Sequence, residues 1–310
     1  MEKLKFPVHK LNDNISKLLS QIKSAQISEQ IQEGLHNEIQ WEDCDGMITD
    51  IAHLDCLNRV HLSSAYCQFL WIICDIAIKT YDAIVFKLEL EKLEPDLANA
   101  VINELNDYNK TSEEYVTLRE INSLEKVLKE TFDEFTIASH LRQNKVSDDD
   151  LKQLNKIDMG GTYSVKTNSV FSYGIVFILL HELAHFRFKH YLPNKKDESD
   201  ADNLAFWDIY FDVPKEEKIT ASLGILSALS SLLFFSDDLK GDDQHPDEDQ
   251  RIFEIFDYVK NDCSNYSGVL VQFFKLWAFD KGREDFPAMS NTESFDQMLS
   301  KIKFFIEQQK

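Results

Sequence analysis

Glycine and proline are scarce in this chain, at 9 and 6 among 310 residues. Folds built from many strands need many turns, and turns draw on these two residue types. The scarcity therefore directs the chain toward long helices with few interruptions. Apolar spacing agrees. Ile15, Leu18, Leu19, Ile22, Ile27 and Ile31 mark an amphipathic helix over 12–32. Residues 61–87 mark a second, apolar nearly all round near its middle, as a buried helix would be. Two more follow at 95–107 and 112–143, with Thr111 and Glu114 spaced as a capping box. A polar stretch then runs from 144 to Gly160-Gly161 and marks a boundary. Residues 162–167 alternate and carry β-formers, which predicts a short strand. Helices are expected again over 171–191, 197–211, 215–235, 246–260, 266–279 and 293–308. The expected fold class is mainly α with a small β element.

Charge narrows the partners. Lys and Arg number 33 against 54 Asp and Glu, a net charge of −21. Phosphate recognition leaves a basic footprint, so the charge argues against nucleic acid as a partner and against an anionic membrane surface as the main one. A disordered acidic chain is excluded too, because 43% of the residues are hydrophobic and 22 are Phe. Residues 219–235 are free of charge and just short of a membrane span. A buried helix is the expectation there, with a membrane-embedded segment as the alternative. The acidic runs at 148–150 and 242–249 read as solvated loops. The five cysteines, Cys44, Cys56, Cys67, Cys74 and Cys263, have no CxxC spacing. That argues against a disulfide framework and for a reducing, cytoplasmic setting, with Cys67 and Cys74 in the core. No secretory signal is visible at the N-terminus.

One pattern carries chemistry. Residues 181–185 read His181-Glu182-Leu183-Ala184-His185, an HExxH pattern after a dense apolar run. On a helix, residues four apart project from one face, so both imidazoles can bind one zinc ion. Glu182 lies on the neighbouring flank, where it can take a proton from an activated water. Catalytic zinc needs a third protein ligand and an open position. A Gly and a His at 188 and 191 would supply one arrangement, but the chain has Phe188 and Tyr191. Glu198-Ser199-Asp200-Ala201-Asp202 supplies another. On a helix over 197–211, Glu198, Ala201, Asp202 and Ala205 share a face, and the alanines permit close approach. Glu198 is the expected third ligand, with Asp197 and Asp200 as fallbacks. Asp202, one turn on, is placed to accept the free N–H of a ligating histidine. Downstream, His245-Pro246 stands at a helix start and Arg251 lies within that helix. His245 is a candidate to stabilise an oxyanion, ahead of Tyr163, Tyr173 and Tyr191, and Arg251 is a candidate supporting residue unless it pairs with an acid such as Asp247. His190 falls five residues after His185, off the ligand face, and reads as a surface residue or as one that backs a ligand from behind.

HELAH, ESDAD and HPDEDQRI in that order, over 181–252, resemble the layout of gluzincin peptidases, which use HExxH, ExxxD and a later HPxxxxR segment. The helical N-terminal half and the mid-chain motif look like the Lit-type phage-exclusion peptidases. That resemblance implies a zincin-like helical metallopeptidase acting in the bacterial cytoplasm on a host protein during phage infection; the family archetype cuts translation elongation factor Tu. ImmA/IrrE-type peptidases, which cleave repressors, share HExxH and a nearby acidic third ligand. The expected organisation is a helical region over 1–145, a zinc peptidase core over 146–262 and a C-terminal helical region over 263–310 packed on it. The expected partner is a protein or peptide substrate. A non-catalytic metal-binding protein is the reading from another class, and the intact Glu182 speaks against it.

Overall fold

The computed structural model describes residues 11–22, 40–42, 48, 51–54, 60–92, 124–154, 161–190, 193–236, 239–241, 246–262, 265–290 and 293–309. The expectations for 23–32, 95–107 and 112–123 lie outside them. In chain order the elements are α1 (Asn12–Gln21), β1 (Gln40–Glu42), β2 (Ala52–Leu54), β3 (Val60–Ser63), α2 (Ser64–Glu91), α3 (Leu124–Arg142), α4 (Asp148–Leu154), α5 (Thr162–Phe188), α6 (Lys195–Asp212), α7 (Lys218–Leu232), α8 (Glu248–Val259), α9 (Tyr266–Asp280) and α10 (Phe295–Gln309). The fold is mainly α, as the scarcity of turn residues requires.

Three local expectations are overturned. The briefest concerns the acidic run 242–249, whose last two residues, Glu248 and Asp249, form the first turn of α8, with Asp249 buried, where their charge complements the helix dipole. The stretch 162–167 is not a strand but the first turns of α5. Ser164 and Thr167 are buried while Val165 and Lys166 face solvent. That three-residue interval belongs to a helix, whereas a strand would alternate by two. Thr167 donates to Asp75 of α2 at 2.7 Å, a contact that favours the helical arrangement. The acidic run 148–150 is not a loop but the first turn of α4. Ser147 Oγ accepts from Asp150 N at 3.1 Å and Asp150 Oδ2 accepts from Ser147 N at 2.8 Å, a reciprocal cap. The acids there also complement the helix dipole.

The small β element lies elsewhere, in the N-terminal half. β3 is central, paired parallel with β1 and antiparallel with β2. Ser63 ends β3 and caps α2, accepting from Tyr66 N at 3.3 Å.

α2, α5, α7 and α9 carry most of the core. Trp71, Phe171, Leu226 and Phe273 are fully or almost fully buried, and one continuous apolar cluster runs from Leu11 to Ile306. Cys67 and Cys74 lie inside it as free thiols, and burial pushes both thiols well up. α5 crosses α7 at Gly174 and Gly224. A Cβ on Gly224 would stand 2.4 Å from the Val170 carbonyl oxygen and 2.8 Å from Tyr173 Cβ, so only glycine allows this approach. The uncharged segment 219–235 forms α7, and every residue from Ala221 to Ser231 is buried within the protein. Among the described residues, the helix long and apolar enough to cross a membrane is Tyr163–Phe188, and it too is mostly buried here. The α5–α7 crossing anchors the apolar part of α5 and leaves its last turns to carry polar side chains toward α6.

Candidate metal centre

His181 and His185 occupy successive turns near the end of α5. Glu198 occupies the first turn of α6, which starts sharply because Asn194 Oδ1 accepts from Lys196 N and Asp197 N, while Asp197 Oδ2 accepts from Asn194 N. Ala201 and Ala205 have no exposed surface, and their small side chains let α6 lie close to its neighbours. The result is a convergence. His181 Nε2 and His185 Nε2 are 3.0 Å apart. Glu198 Oε2 is 3.3 Å from the first and Oε1 is 3.2 Å from the second. These three residues could hold a metal ion.

The donor chemistry argues that a cation belongs there. Asp202 Oδ1 stands 2.9 Å from His181 Nδ1, and a carboxylate can only accept, so Nδ1 carries the proton. Without a second proton, His181 aims a lone pair from Nε2 at a carboxylate and at another imidazole nitrogen. A proton satisfies one pair in such a cluster; a metal cation satisfies all three groups together. With ligand bonds of about 2.1 Å, tetrahedral donors sit about 3.4 Å apart, close to the separations found. In the protein alone, burial pushes the His181 imidazole down, but its hydrogen bonds with Asp202 and Glu198 outweigh that and raise it to about 9. Glu198 is held well below the usual carboxylate range: burial raises it, and the two histidines and Arg251 lower it further.

Asp202 is buried and held on its other side by Arg251 of α8. Arg251 Nε donates to Asp202 Oδ2 at 2.6 Å and its Nη2 to Oδ1 at 2.8 Å. The same Nη2 lies 3.8 Å from Glu198 Oε2. Burial would raise the Asp202 pKa, but Arg251 and His181 bring it down to about 2. The candidate supporting residue thus reaches the site through Asp202 rather than pairing with Asp247 alone.

Glu182 lies between the two histidines on α5, half-buried. The fallback ligands do not converge: Asp200 is half-exposed beside Lys196 at 3.6 Å, and Asp197 faces His190. Tyr173 donates to Glu217, and Tyr163 packs near Ala83 and Val127. His245 and Tyr191 lie outside the described residues.

The site also includes His190, which its spacing placed off the ligand face and which lies behind a ligand. His190 Nδ1 is 3.1 Å from His185 Nδ1, and its Nε2 is 3.4 Å from Asp197 Oδ1. A five-residue offset rotates a side chain away only while the helix continues, and α5 ends before His190. A Lys189 in the left-handed region, φ 58°, turns the chain back. No residue type in the sequence signals that turn, since glycine is what usually marks it.

The fold and this convergent cluster define a helical protein with a built three-donor centre on an HExxH helix. The Peptidase U49 family model matches residues 60–270, and the chain belongs to that family: it is a peptidase. Comparison with curated proteins finds no match, and neither does comparison with solved structures.

Proposed function

We propose that the chain is a zinc-dependent endopeptidase whose centre is His181, His185 and Glu198. The observation that carries this is the convergence of two imidazole nitrogens and one carboxylate within 3.0–3.3 Å, in a chain that belongs to a peptidase family. Zinc bound there supplies a Lewis acid for the scissile carbonyl and makes water a better nucleophile near neutral pH. Glu182 takes the proton from the attacking water as its oxygen bonds to the carbonyl carbon. It then passes that proton to the leaving nitrogen as the C–N bond breaks, so peptide and water become a carboxylic acid and an amine. Asp202 holds His181 in the tautomer that keeps Nε2 free, and Arg251 holds Asp202. His245, one residue before the buried Pro246, is the proposed oxyanion partner.

The substrate is proposed to be a bacterial host protein cut in the cytoplasm during phage exclusion, on the strength of the Lit-type resemblance. The net charge of −21 favours basic stretches of such a substrate and disfavours nucleic acid. The test is metal analysis and cleavage of elongation factor Tu by wild type and Glu182→Gln. Zinc in both, with cleavage in wild type alone, is expected. Zinc in both with no cleavage by either would discard this substrate and leave the centre standing. Equal cleavage by both would remove Glu182 from its role.

A further inference from the structure

We infer that His190 is a positioning residue for this centre: through its Nδ1 it fixes His185, with Asp197 behind it, and so ties the exit of α5 to the start of α6. The inference rests on the metal reading above and adds to it an element outside HExxH, ExxxD and HPxxxxR.

The backbone first brings the ring there. Lys189 N donates to Phe186 O at 3.1 Å and His190 N donates to His185 O at 2.9 Å. These two bonds, with the left-handed Lys189 between them, are the Schellman ending of a helix. That ending folds His190 back over the last turn, so the imidazole five residues on returns to the one it left. The two ring centroids lie 5.3 Å apart at 68°. Phe188 stacks on the outer face of His190, with centroids 5.7 Å apart at 25°. Both histidine side chains are only 13–14% exposed, so water is a poor substitute for either contact.

The protons then follow from one constraint. Asp197 can only accept, so the His190 proton sits on Nε2, facing Oδ1 at 3.4 Å. His190 Nδ1 is then a lone pair, and it accepts from His185 Nδ1–H at 3.1 Å. His185 Nε2 is thereby left as a lone pair, aimed at the point where His181 Nε2 and Glu198 converge. With both rings neutral, every hydrogen in the chain Asp197–His190–His185 has one consistent place. Asp197 also closes the cap of α6, one residue before Glu198. The same carboxylate therefore serves the third ligand's helix and the second ligand's tautomer.

The test is a zinc titration of the full chain against a competing chelator, for wild type, His190→Phe and His190→Asn. Phe keeps the ring and its stacking but removes the acceptor; Asn returns an acceptor near the Nδ1 position. His190→Phe is expected to lose about 10- to 100-fold in affinity, the usual range for a lost outer partner of a metal ligand. His190→Asn is expected to recover most of that loss, and the visible spectrum of the cobalt-loaded protein to shift for Phe and return for Asn. Equal affinities in all three would overturn the inference, as would equal losses in both variants. Zinc uptake by wild type keeps the metal reading intact in those cases; no uptake by wild type would overturn both readings. Should His190→Phe not fold, imidazole nitrogen spectra of the zinc-loaded wild type decide. A proton on His185 Nδ1 and on His190 Nε2 is expected, and zinc on His185 Nδ1 would contradict it.

Discussion

The two histidines that face Glu198 sit one turn apart on one helix, yet their far nitrogens meet different surroundings. His181 backs onto the buried carboxylate of Asp202 at 2.9 Å, and Asp202 is clamped by Arg251 from a third helix. His185 backs onto a second imidazole at 3.1 Å, with Asp197 beyond it at 3.4 Å near the surface. The His181 side is ionic, dry and shared by α5, α6 and α8. The His185 side is built from a helix ending and a helix start. The contrast teaches that one side of the centre depends on charge balance in the core and the other on local chain geometry.

The largest expected effect tests the ionic side. Arg251→Met keeps apolar bulk but takes from the buried Asp202 and Glu198 charges the guanidinium that offsets one of them, leaving His181 alone between two carboxylates. The expected cost to the metal-free protein is about 3–5 kcal/mol, the range for breaking a buried pair from one end, read from urea denaturation. Asp197→Ala, on the other side, is expected to cost about 1 kcal/mol through the lost cap. Similar losses for the two would erase the contrast.

The next effect is a pH dependence. His181 is raised to about 9 in the protein alone, above its ordinary value near 6.5. A raised imidazole contributes stability that is present below the ordinary value and lost as pH rises through about 9. Asp202, lowered to about 2, contributes stability that is present above its ordinary value and lost as pH falls toward 2. The metal-free denaturation midpoint should therefore decline across pH 7–9 in wild type and stay flatter in Asp202→Asn. A flat wild-type profile would mean that His181 is not held by these carboxylates.

The smallest effect separates geometry from chemistry on the His185 side. Lys189 holds φ 58°, which costs a non-glycine residue about 1 kcal/mol. Lys189→Gly is expected to relieve part of that and raise the melting temperature slightly, with zinc affinity unchanged. Lost affinity in this variant would show that the turn itself, and not the imidazole it delivers, matters.

The same contrast explains what was legible in the sequence. His181, Glu182, His185, Glu198 and Asp202 were readable because they lie inside regular helices, where spacing converts directly into a shared face. The placement of Arg251 against Asp202 was only half readable, since it depends on how α8 docks on α6. His190 was only half readable: its spacing put it off the ligand face and left open whether it lay at the surface or behind a ligand, because a helix ending, not a helix, sets its direction. In the fold, the long helices announced themselves through apolar periodicity. The strands β1, β2 and β3 did not, because segments of three or four residues are too short for a period of two to register. Residues 162–167 failed for the converse reason: their β-forming types are a weak preference, overridden by the tertiary contacts that continue α5 toward Gly161.

The most direct test of the central claim is X-ray absorption at the zinc edge of the reconstituted protein, compared with Glu198→Ala. The account expects one zinc per chain with two imidazole ligands and light-atom donors at about 2.0–2.2 Å, and a lost oxygen donor with weakened uptake in the variant. A spectrum with one imidazole or with sulfur, or a chain that takes up no zinc, would contradict it.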